Sequence, residues 1–362
     1  MMSLLLNTKK YKQDPDSKHT IYEVAVEGNV QFTGEFSIGP YQFMIAEFDI
    51  KNPGEPRELC LRLKNYYEKG KNDTEMPIGD IDSDFVACAS LFLRTRFKIL
   101  GLSRMDDRPM KLSLTKRFVH EALIQDKRKL GDLSEWFSHL FALDESDYNR
   151  FLISVRMYQF ALEILEQDVN LAYLFLIFSI ETLSGDYETT ITFDELEDYK
   201  EIETLLKKAI EDVKIVEKIK DEIAKRQPKI KKKFIGFIEE YLPDSFWENS
   251  HVKYAFAKVK REELKNYLDL IYEYRSLMVH NGIALFDYQT LTLGKSLDIG
   301  PGWPCVFGKM VDFIRKKLIE NEKEFAGVKS ITLKRIPSII WFERLVNNVL
   351  KNYLEILTTS KT

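Results

Sequence analysis

Two side chains suited to phosphate chemistry lie close together near the end of a helical stretch in the second half of the chain. Arg275 and His280 are separated by four residues, and a polar residue, Ser276 or Asn281, directly follows each of them. Arginine carries a permanent charge that can stabilise a phosphate, and histidine can give or take a proton near neutral pH. We therefore take this stretch as the candidate centre for chemistry.

The residues around Arg275 follow the spacing of one helical face, and Asn281-Gly282 is a typical helix stop. At about 100° per residue, Arg275 lies inside the apolar stripe, where a charge must be paired or must face a cleft. His280 lies about 140° further around, so it can converge with Arg275 only if the chain leaves the helix there. The alternative is that both residues are structural. The stripe comprises Leu264, Tyr267, Leu268, Ile271, Tyr274 and Met278.

A carboxylate of opposite charge is predicted to enter the same core. Glu181 follows a run of apolar residues that begins at Leu171, one helical turn after Phe178. An ion pair with Arg275 would neutralise both charges and would orient the guanidinium, leaving its outer face available to a phosphate. The alternative is that Glu181 pairs with another cation and has only a structural role.

The string Arg275-Ser-Leu-Met-Val-His280-Asn-Gly resembles the signature of the HEPN superfamily, in the form found in its Apea-like branch. The apolar helix that carries Glu181 resembles an earlier helix of that branch, and the likeness covers about residues 130 to 357. The resemblance implies a metal-independent endoribonuclease without a cofactor, in which the ribose 2′-hydroxyl attacks the adjacent phosphate. His280 would move protons, Arg275 would stabilise the phosphorane, and Ser276, Asn281 and Glu181 would support them.

The same resemblance implies that two chains form a homodimer with a composite active site and RNA as its substrate. It also implies a role as a toxin or effector in prokaryotic antiviral defence by abortive infection. Some members of the superfamily are non-catalytic modules that bind RNA or a protein partner. That alternative stays open.

Composition excludes several other classes of function. With 53 basic and 57 acidic residues, the net charge is -4, so contact with nucleic acid would have to be local. Three dispersed cysteines, Cys60, Cys88 and Cys305, favour a reducing compartment, and no motif with metal-ligand spacing is present. The short opening segment and the lack of a long apolar run predict a cytoplasmic protein without a membrane partner.

The pattern predicts an α+β protein, with a β-rich domain over residues 1–130 and a helical bundle over 131–362. In the first domain we expect a small antiparallel sheet with one buried face, a Gly28-Asn29 hairpin, and a helix that Asp84 caps. This domain would sense an unidentified trigger or support the bundle. The expected strands are 20–27, 30–36, 41–50 and 57–63, and the expected helix is 85–98.

Helical periodicity dominates the second half, and Pro337 is expected to start the last helix. Ser146 or Asp147 is expected to cap one helix, and Asp168 to open the apolar one. The predicted helical segments are 133–143, 148–166, 168–184, one amphipathic helix within 186–224, an aromatic core segment 234–247, and 307–325.

The most basic segment of the chain lies between the amphipathic and the aromatic segments. It is interpreted either as a guide for RNA phosphates or as an ordinary solvated face. Its cationic residues are Lys225, Arg226, Lys229, Lys231, Lys232 and Lys233.

Overall fold

In the computed structural model the chain has an antiparallel sheet near its N-terminus, followed by helices, which confirms the predicted α+β class. None of the described helices combines the length and the apolar character that crossing a membrane requires. The structure describes residues 3–28, 30, 32–45, 58–66, 78–104, 128–165, 168–189, 200–210, 212–226, 229–248, 259–281, 337 and 339–359.

The sheet has the strand order β3-β4-β5-β1-β6, and every neighbouring pair is antiparallel. The alternating residues Leu59, Leu61 and Leu63 are completely buried, which confirms the expected buried face. Strands β2 and β7 form a separate parallel pair. The strands are β1 Thr20–Gly28, β2 Phe32–Thr33, β3 Phe36–Ile38, β4 Tyr41–Ile45, β5 Glu58–Asn65, β6 Phe97–Arg104 and β7 Arg128–Lys129.

The helices form a bundle in which α4 and α5 pack against each other, and α5 also contacts α8, α10 and α11. The helices are α1 Ser3–Gln13, α2 Ile78–Leu93, α3 Leu133–Ala142, α4 Glu145–Ile164, α5 Val169–Ser184, α6 Lys200–Ala209, α7 Val213–Arg226, α8 Ile230–Tyr241, α9 Ser245–Glu248, α10 Leu264–Asn281 and α11 Ile339–Thr359.

The predicted Gly28-Asn29 hairpin is wrong. Strand β1 continues through Gly28, and β5 and β6 occupy its two edges. Glycine is needed there for space, because an added Cβ would lie only 2.4 Å from Cε2 of Phe32. The two-residue hairpin lies between β3 and β4 instead, where Gly39 has a φ of 53° and Pro40 follows it.

The expected helix 85–98 is misplaced, because α2 begins at Ile78 and ends at Leu93. Asp84 lies within the helix rather than at its cap, and its completely buried carboxylate accepts a hydrogen bond of 2.7 Å from Nε of Arg156. The helix stops because Arg94 adopts the left-handed conformation, with a φ of 49°. Residues 97–104 then form the edge strand β6.

The remaining helix predictions were confirmed in part. Helix α5 begins after Asp168 and α11 begins just after Pro337, as expected, and the aromatic residues Phe234 and Phe237 are core residues. The cap of α4 is Asp144 rather than Ser146 or Asp147, and α1 was missed. The stretch expected to hold one amphipathic helix contains α6 and α7. Segments 46–50 and 307–325, and Cys305, lie outside the described residues.

One apolar core runs from the sheet through α2 into the bundle, and α2 packs directly against α4. This core crosses the predicted domain boundary near residue 130. The division into a sensing or supporting domain and a separate bundle therefore stays a prediction.

Candidate active site

Helices α5 and α10 position the candidate site. Helix α5 is apolar on nearly all sides, which places it in the middle of the bundle, and Asp168 caps it by accepting a hydrogen bond from the Leu171 amide at 3.0 Å. On α10, Ile271 and Tyr274 are buried, and the Tyr274 ring lies 5.8 Å from that of Tyr173 on α5. The Tyr274 hydroxyl donates a 3.0 Å hydrogen bond to Asn170, which ties α10 to the first turn of α5.

The predicted ion pair between Glu181 and Arg275 is present. Nε of Arg275 lies 3.1 Å from Oε1 of Glu181, and Nη2 donates a 3.3 Å hydrogen bond to Oε2. The Nε hydrogen does not point at Oε1, so these two buried atoms lack a well-aligned hydrogen bond. The exposed fractions are 20% for the arginine side chain and 14% for the glutamate. The pair thus lies at the edge of the core, with limited access to solvent.

A third residue, Tyr272, completes this cluster and was not identified from the sequence. Its ring centroid lies 5.7 Å from Cζ of Arg275, and its hydroxyl is close enough to Glu181 to feel the charge of that carboxylate. Burial, followed by the Glu181 charge, raises the pKa of Tyr272 to about 12. The available sequence signal was its spacing, because Tyr272 and Arg275 are three residues apart and share one helical face.

His280 does not join this cluster within one chain. Helix α10 continues through His280 to Asn281, so the chain does not leave the helix where the convergence of His280 and Arg275 would require it. Two residues five positions apart on an intact helix point about 140° away from each other. His280 is exposed, and no hydrogen bond or ion pair involves it among the residues that the structure describes.

The other supporting residues are placed only in part. Ser276 is half-buried on α10, one position after Arg275, while the side chain of Asn281 lies outside the described set. Val279, next to His280, is an exposed large apolar residue with a relative accessibility of 46%. The end of α10 therefore presents an apolar and a titratable side chain together at the surface.

Several lysines of the basic segment contact other parts of the chain. Lys231 Nζ lies 2.8 Å from Asp269 and 4.0 Å from Glu273, both on α10. Lys229 donates a 3.0 Å hydrogen bond to the Thr189 carbonyl, and Lys233 donates to that of Gly185. These contacts join α8 and the residue before it to α10, which carries Arg275, and to the segment that directly follows α5. The basic segment was not predicted to have this structural role.

Comparisons of the chain with protein-family models, with curated proteins and with solved structures find no match. Within the described ranges, no group of three or more histidine, cysteine, aspartate or glutamate side chains is placed to hold a metal ion.

Proposed function

We propose that the protein is a metal-independent endoribonuclease of the HEPN type. The observation that carries this proposal is the Glu181–Arg275 ion pair, which holds a partly exposed guanidinium three helical positions after Tyr272. A cation fixed in this way is suited to stabilise developing charge on a phosphate, because it needs little reorganisation during the reaction.

The geometry of the Glu181–Arg275 pair supports different roles for the three nitrogen atoms of the guanidinium. Nε and Nη2 face Glu181, and among the described residues no hydrogen bond or ion pair involves Nη1. The Nη1 side can therefore bind a phosphate while Glu181 fixes the rest of the group.

His280 supplies proton transfer in the proposed reaction. As base, it removes the proton of a ribose 2′-hydroxyl, whose oxygen then attacks the adjacent phosphorus atom, and the 5′ oxygen leaves with a proton. The products carry a 2′,3′-cyclic phosphate and a 5′-hydroxyl group. Arg275 stabilises the negative charge of the phosphorane between these two steps.

Within one chain, His280 and Arg275 lie on different sides of α10, and a homodimer could bring the two residue types together. Two copies that face each other through the ends of α10 can place His280 of one chain near Arg275 of the other, with one histidine as base and one as acid. The exposed Val279 beside His280 supplies apolar surface for such a contact. The composite site is part of the proposal.

The biological role that we propose is that of a toxin or effector in prokaryotic antiviral defence by abortive infection, acting in the cytoplasm. The support for it is the resemblance of the Arg275 to His280 string to the Apea-like HEPN signature. The sheet shares its core with the bundle, so a trigger bound by the N-terminal part could act on the site through direct packing. Such a trigger remains a proposal.

A specific observation favours the alternative, a non-catalytic HEPN module that binds RNA or a protein partner. Arg275 is engaged by Glu181 and His280 lies on another side of α10, so the described residues of a single chain do not form a complete acid–base site. The two candidates differ in one measurable property. A binding module retains an intact RNA, whereas the nuclease cleaves it.

The test is incubation of the purified full chain with a mixed RNA pool in the presence of a chelator, followed by analysis of the RNA ends. Cleavage that yields 2′,3′-cyclic phosphate and 5′-hydroxyl ends supports the nuclease. RNA that is bound but remains intact supports the binding module. Ends that carry a 5′-phosphate would overturn the proposed chemistry.

A further inference from the structure

Helix α6 carries an apolar stripe that stays in contact with water. Ile202, Leu205 and Ala209 are exposed, Leu205 with a relative accessibility of 63%, and they lie within about 60° of one another around the helix. This stripe does not face α7. The side of α6 that meets α7 carries Glu203, whose carboxylate lies 3.2 Å from Nζ of Lys220, and it is about 160° around the helix from Leu205.

Two opposite charges border this stripe on the same side. Glu201 lies in the first turn of α6 and Lys208 in the last turn, and both residues are exposed. Because they are seven positions apart, they lie within about 20° of each other around the helix. One border of the stripe is therefore acidic at its beginning and basic at its end.

We propose that α6 is a contact surface for a second copy of this chain, in which the two copies of the helix pack antiparallel around Leu205. Leu205 of one copy then lies against Leu205 of the other, and Ile202 lies near Ala209. In an antiparallel pair the same border of both helices meets, so Glu201 of each copy lies opposite Lys208 of the other. All of these pairings are centred within one residue of Leu205, so a single register satisfies them.

The charges select this occupant and this orientation. A parallel pair would place Glu201 opposite Glu201 and Lys208 opposite Lys208, and like charges at an interface are unfavourable. The border as a whole carries no net charge, since one residue cancels the other. A strongly acidic or a strongly basic partner would therefore meet one matching and one opposing charge, whereas a second copy matches both.

This contact is separate from the one proposed at the end of α10, and it does not depend on RNA cleavage. The test is sedimentation equilibrium of the full chain over a range of concentrations. Every sample carries Val279→Ser, which removes the apolar side chain proposed to join the ends of α10. We expect a monomer–dimer equilibrium that Leu205→Gln weakens about tenfold. A monomer at every concentration, or an equally tight dimer in Leu205→Gln, would overturn the proposal.

Charge reversal tests the antiparallel register. Glu201→Lys and Lys208→Glu each place like charges opposite each other twice, so either variant alone should associate about tenfold more weakly. An equimolar mixture of the two variants should associate as tightly as the protein without either change, because a mixed pair has both opposite-charge contacts again. The mixture contains the same altered helices as the separate samples, so a folding defect cannot produce this recovery. Association that stays weak in the mixture contradicts the proposal.

The matched control is Lys207→Glu. It makes the same charge change one position away, on the side of α6 where Lys207 pairs with Glu203 at 2.8 Å. We expect its self-association to be unchanged, because this side does not meet the second copy. A loss equal to that of Lys208→Glu would show that the total charge of α6 matters instead of the pairing, and would overturn the proposed register.

Discussion

Arg94 at the end of α2 and Glu343 on α11, 249 positions apart in the chain, form a buried ion pair with Nη2 2.5 Å from Oε2. The Tyr158 hydroxyl donates a 2.6 Å hydrogen bond to the same glutamate. Arg94 is also the residue with a φ of 49° that ends α2, where glycine is the usual choice. The ion pair compensates for this conformation and joins the N-terminal part to the last helix.

Removing the negative charge of Glu343 should destabilise the whole fold. The exposed fractions are 14% for the Arg94 side chain and 3% for Glu343, so Glu343→Gln leaves a buried cation without its partner. We expect the free energy of unfolding, from urea titration, to fall by about 3 kcal/mol. The double variant Arg94→Gly/Glu343→Gln should lose less than the sum of the single losses. Strict additivity would show that the two groups do not depend on each other.

Lys351 should make stability depend on pH in the alkaline range. Its Nζ lies 4.2 Å from the Trp136 ring and donates a 3.2 Å hydrogen bond to the Phe92 carbonyl, and burial lowers its pKa from 10.5 to about 8. Between these values the unfolded chain holds a proton that the folded chain has released. The free energy of unfolding should therefore rise with pH in this window, by up to about 1.4 kcal/mol per pH unit.

The measurement for Lys351 is the difference in unfolding free energy between wild type and Lys351→Met from pH 7.5 to 9.5. Using the difference removes the contribution of tyrosines that both proteins share. We expect the difference to move in favour of wild type as pH rises. Parallel curves would mean that Lys351 keeps its ordinary pKa in the folded chain.

Arg275 should matter for catalysis through its geometry as well as its charge. Arg275→Lys preserves the charge but cannot face Glu181 with two nitrogen atoms and a phosphate with a third. We expect kcat to fall about 100-fold with a smaller change in RNA affinity. The control is Arg261→Lys. Arg261 lies just before α10, is exposed and pairs with Asp244, so this variant should retain the wild-type rate. Equal losses in both variants would count against a specific role.

Lys231 is expected to contribute to the position of α10 more than to RNA affinity. It pairs with Asp269, and both side chains are partly exposed, so Lys231→Met should cost only about 0.5 kcal/mol of stability at low salt. The loss should disappear at about 1 M salt, where such pairs are screened. RNA affinity measured by titration should change less than about twofold, and a larger, salt-dependent loss would restore Lys231 as a phosphate contact.

The contact between Glu181 and Arg275 could be predicted from sequence because two opposite charges each fell inside an apolar helical stripe, and burial forces such charges to pair. The C-terminal end of α2 could not be predicted in this way. It is set by Arg94, which takes a conformation that its residue type disfavours and which pairs with Glu343 far along the chain. The nearness of Tyr272 to Glu181 could not be predicted either, because it depends on how α10 packs on α5, which spacing along one helix does not show.

The prediction of a hairpin at Gly28-Asn29 was wrong for a different physical reason. Gly28 looked like a turn residue, but it is a strand residue without a side chain because Phe32 occupies the space that a Cβ would fill. A glycine required by packing and one required by a positive φ have the same appearance in a sequence. The basic segment was ambiguous in the same way, since Lys229 and Lys231 bind groups of the protein that only the fold brings near them.

The most direct test of the central claim is the rate of RNA cleavage by wild type, His280→Ala and His139→Ala, each with a chelator present and on the same RNA pool. His139 is the control histidine, because it lies on α3 and its ring Nδ1 is 2.8 Å from the Thr358 hydroxyl on α11, so neither residue belongs to α5 or α10. We predict that wild type and His139→Ala cleave at equal rates and that His280→Ala is at least about 100-fold slower. Cleavage by His280→Ala at the wild-type rate, or cleavage that the chelator abolishes, would contradict a metal-independent nuclease that uses His280.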